Sequence, residues 1–228
     1  NVVSWNALIS GYAQQGQGYE ALNCLEHMRN QGFSPDAITF VCVLKSCGAI
    51  RAINRGKHIH DEVISRGLLK NNIMLGTTLV DMYVKCGDIA IAHKVLEELP
   101  LRNKVSWSVL IAGYVERGQG HQALNCFERM QSENFFPDEI TFVCILKACG
   151  HIGAIDKGKK FHNEIVNRGL IANNVVLGTA LVDMYAKCGA LAKAQEVLED
   201  LPVRNVVSWS ALIAGYAQHS QGYEALKC

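Results

Sequence analysis

The stretch Val2-Val3-Ser4-Trp5-Asn6-Ala7-Leu8-Ile9-Ser10-Gly11-Tyr12 decides the fold, because it recurs almost unchanged further along the chain. Its last copy reads Val206-Val207-Ser208-Trp209-Ser210-Ala211-Leu212-Ile213-Ala214-Gly215-Tyr216, and Trp5, Trp107 and Trp209 lie 102 residues apart. A second stretch, Asp81-Met82-Tyr83-Val84-Lys85-Cys86-Gly87, returns as Asp183-Met184-Tyr185-Ala186-Lys187-Cys188-Gly189. Repetition at a fixed period is the sequence signature of a repeat architecture.

Each long period contains three related segments, and each segment predicts a helix-turn-helix hairpin. In the first segment Trp5, Leu8, Ile9 and Tyr12 have helical spacing, as do Ala21, Leu25 and Met28, with Gly16 and Gly18 between them and Pro35 after them. A single hairpin cannot bury its apolar faces alone, so neighbouring hairpins must stack. The sequence therefore predicts an all-α solenoid whose first helices line one surface.

The predicted repeats have lengths of 35, 36 and 31 residues, in that order. Their bounds are 2–36, 37–72 and 73–103, then 104–138, 139–174 and 175–205, and then the incomplete repeat 206–228. Cys228 would fall inside the second helix of that last repeat. We therefore expect fraying or lateral association at this end.

Composition and charge suit a globular protein and give no global electrostatic case for nucleic acid. Hydrophobic residues make up 49% of the chain and charged residues 19%, and the formal net charge is +1. No apolar run is long enough for a membrane span, and the first residues are no targeting sequence, so we expect an internal segment of a soluble protein. The cysteines recur in repeat register, as Cys24, Cys126 and Cys228, Cys42 and Cys144, Cys47 and Cys149, and Cys86 and Cys188. This register explains them better than disulfide pairing does.

Signatures of catalysis and metal binding are weak, and we predict neither an enzyme nor a cofactor or metal site. The sequence lacks Cys-x-x-Cys, His-Glu-x-x-His and the phosphate-binding Gly-x-x-x-x-Gly-Lys-Ser/Thr pattern. His58-Ile59-His60 has the form of a ligand pair, but one period later the same positions are Lys160, Phe161 and His162. Cys42 and Cys47 point to different faces of a predicted helix and are interpreted as small core residues.

The repeats resemble those of pentatricopeptide repeat (PPR) proteins, and the alternation of lengths is similar to that of the PLS subclass of land plants. The resemblance covers essentially the whole chain and rests on residues 2–12, 39–47, 56–60 and 79–87. It identifies 2–36 and 104–138 as P repeats, 37–72 and 139–174 as L repeats, 73–103 and 175–205 as S repeats, and 206–228 as a truncated P repeat. It implies a right-handed superhelical solenoid.

The resemblance also implies sequence-specific binding of single-stranded RNA, with one base read per repeat. In this family the fifth and the last residue of a repeat face the base. The corresponding pairs are Asn6 with Asp36, Val41 with Asn72, Thr77 with Asn103, Ser108 with Asp138, Val143 with Asn174, and Thr179 with Asn205, while Ser210 has no partner in the sequence.

The chemistry of these pairs predicts a target sequence. An ionised Asp only accepts hydrogen bonds and suits the ring N–H of U or G, whereas Asn can donate to the ring acceptor of A or C. In the family, Asn at the fifth position goes with pyrimidines and Ser or Thr with purines. The predicted target is U, any base, A, G, any base, A and a purine. The second and fifth positions accept any base because the side chains of Val41 and Val143 cannot form hydrogen bonds.

In the family, second-position residues sandwich each base. Here they are all apolar, namely Val3, Ile38, Met74, Val105, Ile140, Val176 and Val207. The alternative is that they pack hairpin against hairpin, as apolar residues at helical spacing commonly do. Lys85 and Lys187, with Lys45 and Lys147, could contact phosphates. Alternatively, such lysines are solvated cations favoured by the helix dipole.

The subclass implies a role in C-to-U editing of organelle transcripts, in a chloroplast or a mitochondrion. Related proteins often carry a C-terminal zinc deaminase domain, whose signature this sequence lacks, so the chain would supply the address and another module the chemistry. Editing accessory proteins could dock on the L repeats. A protein-binding scaffold remains the alternative, because stacked helical hairpins also form peptide-binding grooves.

Overall fold

The computed structural model describes residues 1–172 and 174–227, and these residues contain helices and no strands. The helices are α1 (Val2–Gln14), α2 (Gly18–Asn30), α3 (Ala37–Ala49), α4 (Ile53–Ser65), α5 (Ile73–Cys86), α6 (Ile89–Glu98), α7 (Lys104–Glu116), α8 (Gly120–Ser132), α9 (Glu139–Ile152), α10 (Ile155–Asn167), α11 (Val175–Lys187), α12 (Leu191–Asp200), α13 (Val206–Gln218) and α14 (Gly222–Lys227). The predicted all-α class is confirmed.

The chain divides into two compact units, Asn1–Gly113 and Tyr114–Cys228. Helix α7 contains the boundary between them. Cys228 lies outside the described residues, as does Asn173, so the expectation for Cys228 has no structural counterpart here.

In the first unit, α1 packs against both α2 and α3, and α3 packs against both α4 and α5. The predicted core positions Ile9, Ala21 and Met28 are fully buried. Leu8 is 45% exposed, so its assignment to the buried face of α1 is wrong. The turn between α1 and α2 passes through Gly16, whose φ of 74° lies in the left-handed region that favours glycine.

In the second unit, the first helices α9, α11 and α13 lie side by side, and α10, α12 and α14 pack on them. Gly150 makes this arrangement close, because a Cβ there would lie 3.4 Å from Met184 Cα and 3.4 Å from Lys187 Cβ. In each unit, first helices therefore neighbour first helices and form one surface, as predicted.

Two further properties of the described residues bear on the sequence analysis. None of the helices in residues 1–172 and 174–227 is both long and apolar enough to cross a membrane. The cysteines of that same part of the chain are all free thiols. Burial, together with the neighbouring Cys86, raises the pKa of Cys47 to about 12.

Candidate functional site

The second-position aliphatic residues lie on the surface of the first helices. Their exposed fractions run from 47% at Val105 to 74% at Val3, and Ile38, Met74, Ile140, Val176 and Val207 lie between these values. Packing of hairpin against hairpin does not account for side chains this exposed, because such packing would remove them from water. Each unit thus carries a row of exposed aliphatic side chains along its first helices.

The last residue of each complete predicted repeat begins the next first helix as its N-cap. A side-chain oxygen accepts a hydrogen bond from the backbone N–H three residues later, and the N···O distances are 2.9 Å for Asp36, 2.9 Å for Asn72, 2.8 Å for Asn103, 3.0 Å for Asp138, 2.9 Å for Asn174 and 2.8 Å for Asn205. This role was missed from the sequence, although Asp36-x-x-Thr39 and Asn205-x-x-Ser208 carry its signal.

The cap fixes which atom the last residue presents to a ligand. Only the amide oxygen of Asn205 can accept the Ser208 N–H, so its Nδ2 must point away from the helix end. Nδ2 of Asn205 has no hydrogen-bond partner within residues 1–172 and 174–227. At Asp36 the capping oxygen is Oδ1, which leaves Oδ2 with acceptor capacity. Asn is therefore held as a donor and Asp as an acceptor.

Fifth-position hydroxyl groups are oriented by their own helices. Oγ1 of Thr77 donates to Ile73 O at 2.9 Å and lies 3.4 Å from Asn103 Oδ1, and Oγ1 of Thr179 donates to Val175 O at 2.8 Å. A hydroxyl that donates to the backbone still has a lone pair with which to accept from a ligand.

The remaining fifth positions differ in their exposure and surroundings. Ser108 Oγ donates to Lys104 O at 2.8 Å, and its sequence partner Asp138 belongs to the other unit. Ser210 is exposed. Val41 is buried, with 7% exposed, and offers almost no surface to a ligand, whereas Val143 is partly exposed.

Asn6, Asp36 and Thr39 form a hydrogen-bonded cluster between α1 and the start of α3. Nδ2 of Asn6 donates to Asp36 Oδ1 at 3.0 Å and to Oδ2 at 3.1 Å, and Asn6 Oδ1 accepts from the Thr39 hydroxyl. Burial acts to raise the pKa of Asp36, but hydrogen bonds from Thr39 and Asn6 outweigh it and hold the pKa below its ordinary value. Asp36 is therefore ionised at neutral pH, and Asn6 is already engaged.

A cavity of about 350 Å³ lies between α11 and α13 of the second unit. The second-position residues Val176 and Val207 line it, together with the fifth-position Thr179 and the last-position Asn205. Val143, Lys147, Ala180, Asp183 and Ala211 complete the lining. This volume falls within the roughly 300–1,000 Å³ of typical small-molecule sites. The cavity thus has aliphatic walls and places one hydroxyl and one amide group together.

The lysines differ in their surroundings. Lys85 Nζ lies 2.7 Å from Asp81 Oδ2, and Lys187 Nζ lies 2.7 Å from Asp183 Oδ2. Lys147 is exposed, lines the cavity, and has no ion-pair partner among the residues that the structure describes. Lys45 is also exposed.

His58 and His60 lie on α4 and do not line this cavity. His58 is exposed, while His60 Nδ1 lies 2.9 Å from the Tyr83 hydroxyl, and His162 pairs with Tyr185 at the same distance. Burial lowers the pKa of both His60 and His162. These pairs join the second helix of a repeat to the first helix of the next one, and the spacing His-x₂₂-Tyr is the signal that sequence reasoning passed over.

Family models match most of the chain. The model described as PPR repeat family matches residues 1–49 and 102–151, and the model described as PPR repeat matches 77–103, 179–206 and 207–228. Among curated proteins, a chloroplastic pentatricopeptide repeat-containing protein of Arabidopsis thaliana is 38% identical over 226 residues, which are 99% of this chain and 36% of that protein. A putative mitochondrial one from the same plant is 37% identical over 227 residues, with 100% and 36% covered. The chain thus spans about a third of the length of these relatives.

Solved structures of low sequence identity share the fold. The pentatricopeptide repeat protein PPR10, in complex with an 18-nt psaJ RNA element, superposes with a TM-score of 0.85 at 20% identity, covering 100% of this chain and 35% of that one. The PPR domain of the Arabidopsis thaliana protein-only RNase P 1, in complex with tRNA, gives a TM-score of 0.62 at 16% identity, covering 82% and 95%.

Proposed function

The chain belongs to the PPR repeat family, and we propose that it binds single-stranded RNA in a sequence-specific manner, with one base read per repeat. The repeats would be those defined from the sequence, with P, L and S repeats at 2–36, 37–72 and 73–103, at 104–138, 139–174 and 175–205, and a partial P repeat at 206–228. Each complete repeat then begins directly after the N-cap residue of its first helix.

The cavity between α11 and α13 carries this proposal. Its aliphatic walls, Val176 and Val207, come from consecutive repeats and can cover the two faces of an inserted base. In other single-strand binders such stacking contributes about 1–3 kcal/mol per base. Thr179 offers an acceptor and Asn205 a donor, which matches the amino group and the ring nitrogen on the Watson–Crick edge of adenine or cytosine. The family preference of Thr for purines selects adenine.

The other repeats follow the same logic. Asp36 would accept from the ring N–H of uracil, and Thr77 with Asn103 would read a second adenine. Val41 and Val143 leave the bases of the L repeats unread. Lys85 and Lys187 would contact phosphates, because an ion-paired ammonium keeps further N–H donors. Lys147 is a further phosphate candidate because of its place at the cavity.

The relatives also bear on the place of this chain in a larger protein. Chloroplastic and mitochondrial proteins are among them, which supports an organelle as the site of action. We propose that the chain is the target-recognition part of an organelle C-to-U editing factor, with no catalysis of its own. Editing accessory proteins docked on the L repeats would be its protein partners.

Fluorescence anisotropy with a labelled RNA of sequence U-N-A-G-N-A-R tests the proposal. We expect tighter binding to this RNA than to one with both A positions changed to C, and weaker binding at higher salt. Lys147→Gln should reduce the salt dependence while preserving the preference, because phosphate contacts carry no sequence information. Equal binding of both RNAs, or no binding, would exclude base reading by these repeats.

A protein-binding scaffold is the second candidate, favoured by the exposed aliphatic row on the first helices. The two candidates predict different mutational effects. Peptide capture should be lost on Val176→Ser and should be insensitive to Asn205→Asp, whereas base reading should respond to both.

A further inference from the structure

An arginine at the end of the second helix of each L repeat reaches back to the repeat before it. Nη1 of Arg66, the residue that follows α4, donates to Pro35 O at 2.9 Å and to Ser34 Oγ at 3.1 Å. Arg168, which follows α10, donates to Pro137 O at 3.3 Å. The same contact thus occurs in both units.

Each of these guanidinium groups also contacts a carboxylate and an aromatic ring. Arg66 Nη2 donates to Glu62 Oε1 at 2.5 Å, and Arg168 Nη2 donates to Glu164 Oε1 at 2.5 Å. Arg66 Cζ lies 5.3 Å from the centroid of the buried Phe40 ring. An Arg that bridges a carboxylate, an aromatic face and a carbonyl uses the planar fork that a lysine lacks.

The acceptor of this contact is the carbonyl directly before the last residue of the P repeat. Pro35 O and Asp36 N belong to one planar peptide group, so whatever holds the carbonyl also holds the amide. The Asp36 N–H donates to Thr39 Oγ1 at 3.1 Å on the other side. Arg66 and Thr39 therefore fix this peptide plane at both ends, and with it the position of the Asp36 Cα from which the side chain extends.

We propose that Arg66 and Arg168 are positioning residues that set base discrimination at Asp36 and Asp138 of the preceding P repeats. This inference rests on the proposed RNA binding. The reading of one base then depends on the following L repeat, although neither arginine reads a base. An L repeat whose own fifth position is a valine thus serves the reading of its neighbour.

The experiment compares discrimination at two bases within the first unit. Dissociation constants of the full chain are measured for RNAs with U or C at the first base and, separately, A or C at the third base, which Thr77 and Asn103 would read. The first ratio is the dissociation constant for C divided by that for U at the first base, and the third ratio is that for C divided by that for A at the third base. For Arg66→Gln we expect the first ratio to fall about fivefold or more, which is the discrimination that one hydrogen bond provides. The third ratio should stay unchanged. Arg66→Lys, which keeps the charge but lacks the planar fork, should give a ratio between those of the wild type and Arg66→Gln.

Arg55→Gln is the matched control, because Arg55 lies near the other end of α4 and, among residues 1–172 and 174–227, pairs only with Glu26, at 3.4 Å. It removes the same charge and should leave both ratios unchanged. Thermal unfolding by circular dichroism identifies variants that do not fold, and a poorly folded Arg66→Gln is replaced by Arg66→Lys in the comparison.

Two outcomes oppose the inference in different ways. If the wild-type chain prefers U at the first base and the Arg66 variants keep that ratio, or weaken all RNAs alike, then Arg66 is a structural or phosphate-binding residue and the inference is wrong. If the wild-type chain binds all first bases equally, base reading itself fails and the inference fails with it.

Discussion

Replacement of Asn205 by Asp should invert the base preference of the second S repeat. The cap survives the change, because Asp36 and Asp138 hold the same bond to the N–H three residues later, at 2.9 Å and 3.0 Å. Asn and Asp are nearly equivalent as N-caps, and an anion at a helix N-terminus is favourable. We therefore expect the free energy of unfolding of Asn205→Asp to stay within about 1 kcal/mol of wild type.

The atom presented to the base changes from a donor to an acceptor. Adenine then loses a hydrogen bond at its ring nitrogen, while guanine gains an acceptor for its ring N–H. Each change is worth about 1 kcal/mol, so the ratio of affinities for A and G should shift by about 2 kcal/mol, or roughly 30-fold. Asp183 in the same cavity is ion-paired with Lys187, which limits repulsion between the two carboxylates.

Competition anisotropy with RNAs that differ only at the sixth base measures this ratio. Asn174→Asp is the matched control, since Asn174 caps α11 with the same kind of bond, at 2.9 Å, but belongs to a repeat whose fifth residue is Val143. It should leave the ratio at the sixth base unchanged. An unchanged ratio for a folded Asn205→Asp would refute the argument that the cap orients the reading atom.

Two further predictions concern titration. An NMR titration should give Asp36 a pKa below its ordinary value of 3.8, and Asn6→Ala should raise it, because a donor to the carboxylate is lost. The lowered pKa means that Asp36 contributes stability above its unfolded-state pKa, and that this contribution is lost as the pH falls through the folded-state value. The lowered pKa of His162 means that the unfolded chain binds the proton more readily, so stability should decline as the pH falls below about 6.5. Urea unfolding at about pH 7.5 and about pH 5.5 should show a smaller decline for His162→Gln, and an equal decline would exclude His162 as its source.

Much of the fold could be predicted because its signal is local and repeated. The spacing of Ala21, Leu25 and Met28 already defined a buried helix face, and Gly16 marked the turn before it. Leu8 was assigned wrongly, because the same helical spacing does not say which side of α1 another helix covers. Periodicity identifies a face, but burial depends on the neighbour.

The family resemblance predicted which residues form the candidate site, but it did not predict how they are arranged in space. Exposure of Val3 and Val176 is a tertiary property, because an apolar residue at helical spacing is equally compatible with packing. The double use of Asn205 as cap and candidate donor joins the end of one repeat to the start of the next. Sequence reasoning treated these as separate segments and therefore passed over the Asn-x-x-Ser pattern.

The sequence by itself determined the repeat period, the all-α class and the chemical types at the fifth and last positions, because these depend on residue identity and spacing along one chain. Only the tertiary structure decided which atoms of those residues remain available. The N-caps turn the Asn amides outward, Arg66 holds the peptide before Asp36, and α11 and α13 enclose the cavity between Val176 and Val207. The cap bond itself joins residues three apart and is signalled by Asn-x-x-Ser. The other two features depend on contacts between segments about 30 residues or more apart, and residue spacing within a single helix contains no information about them.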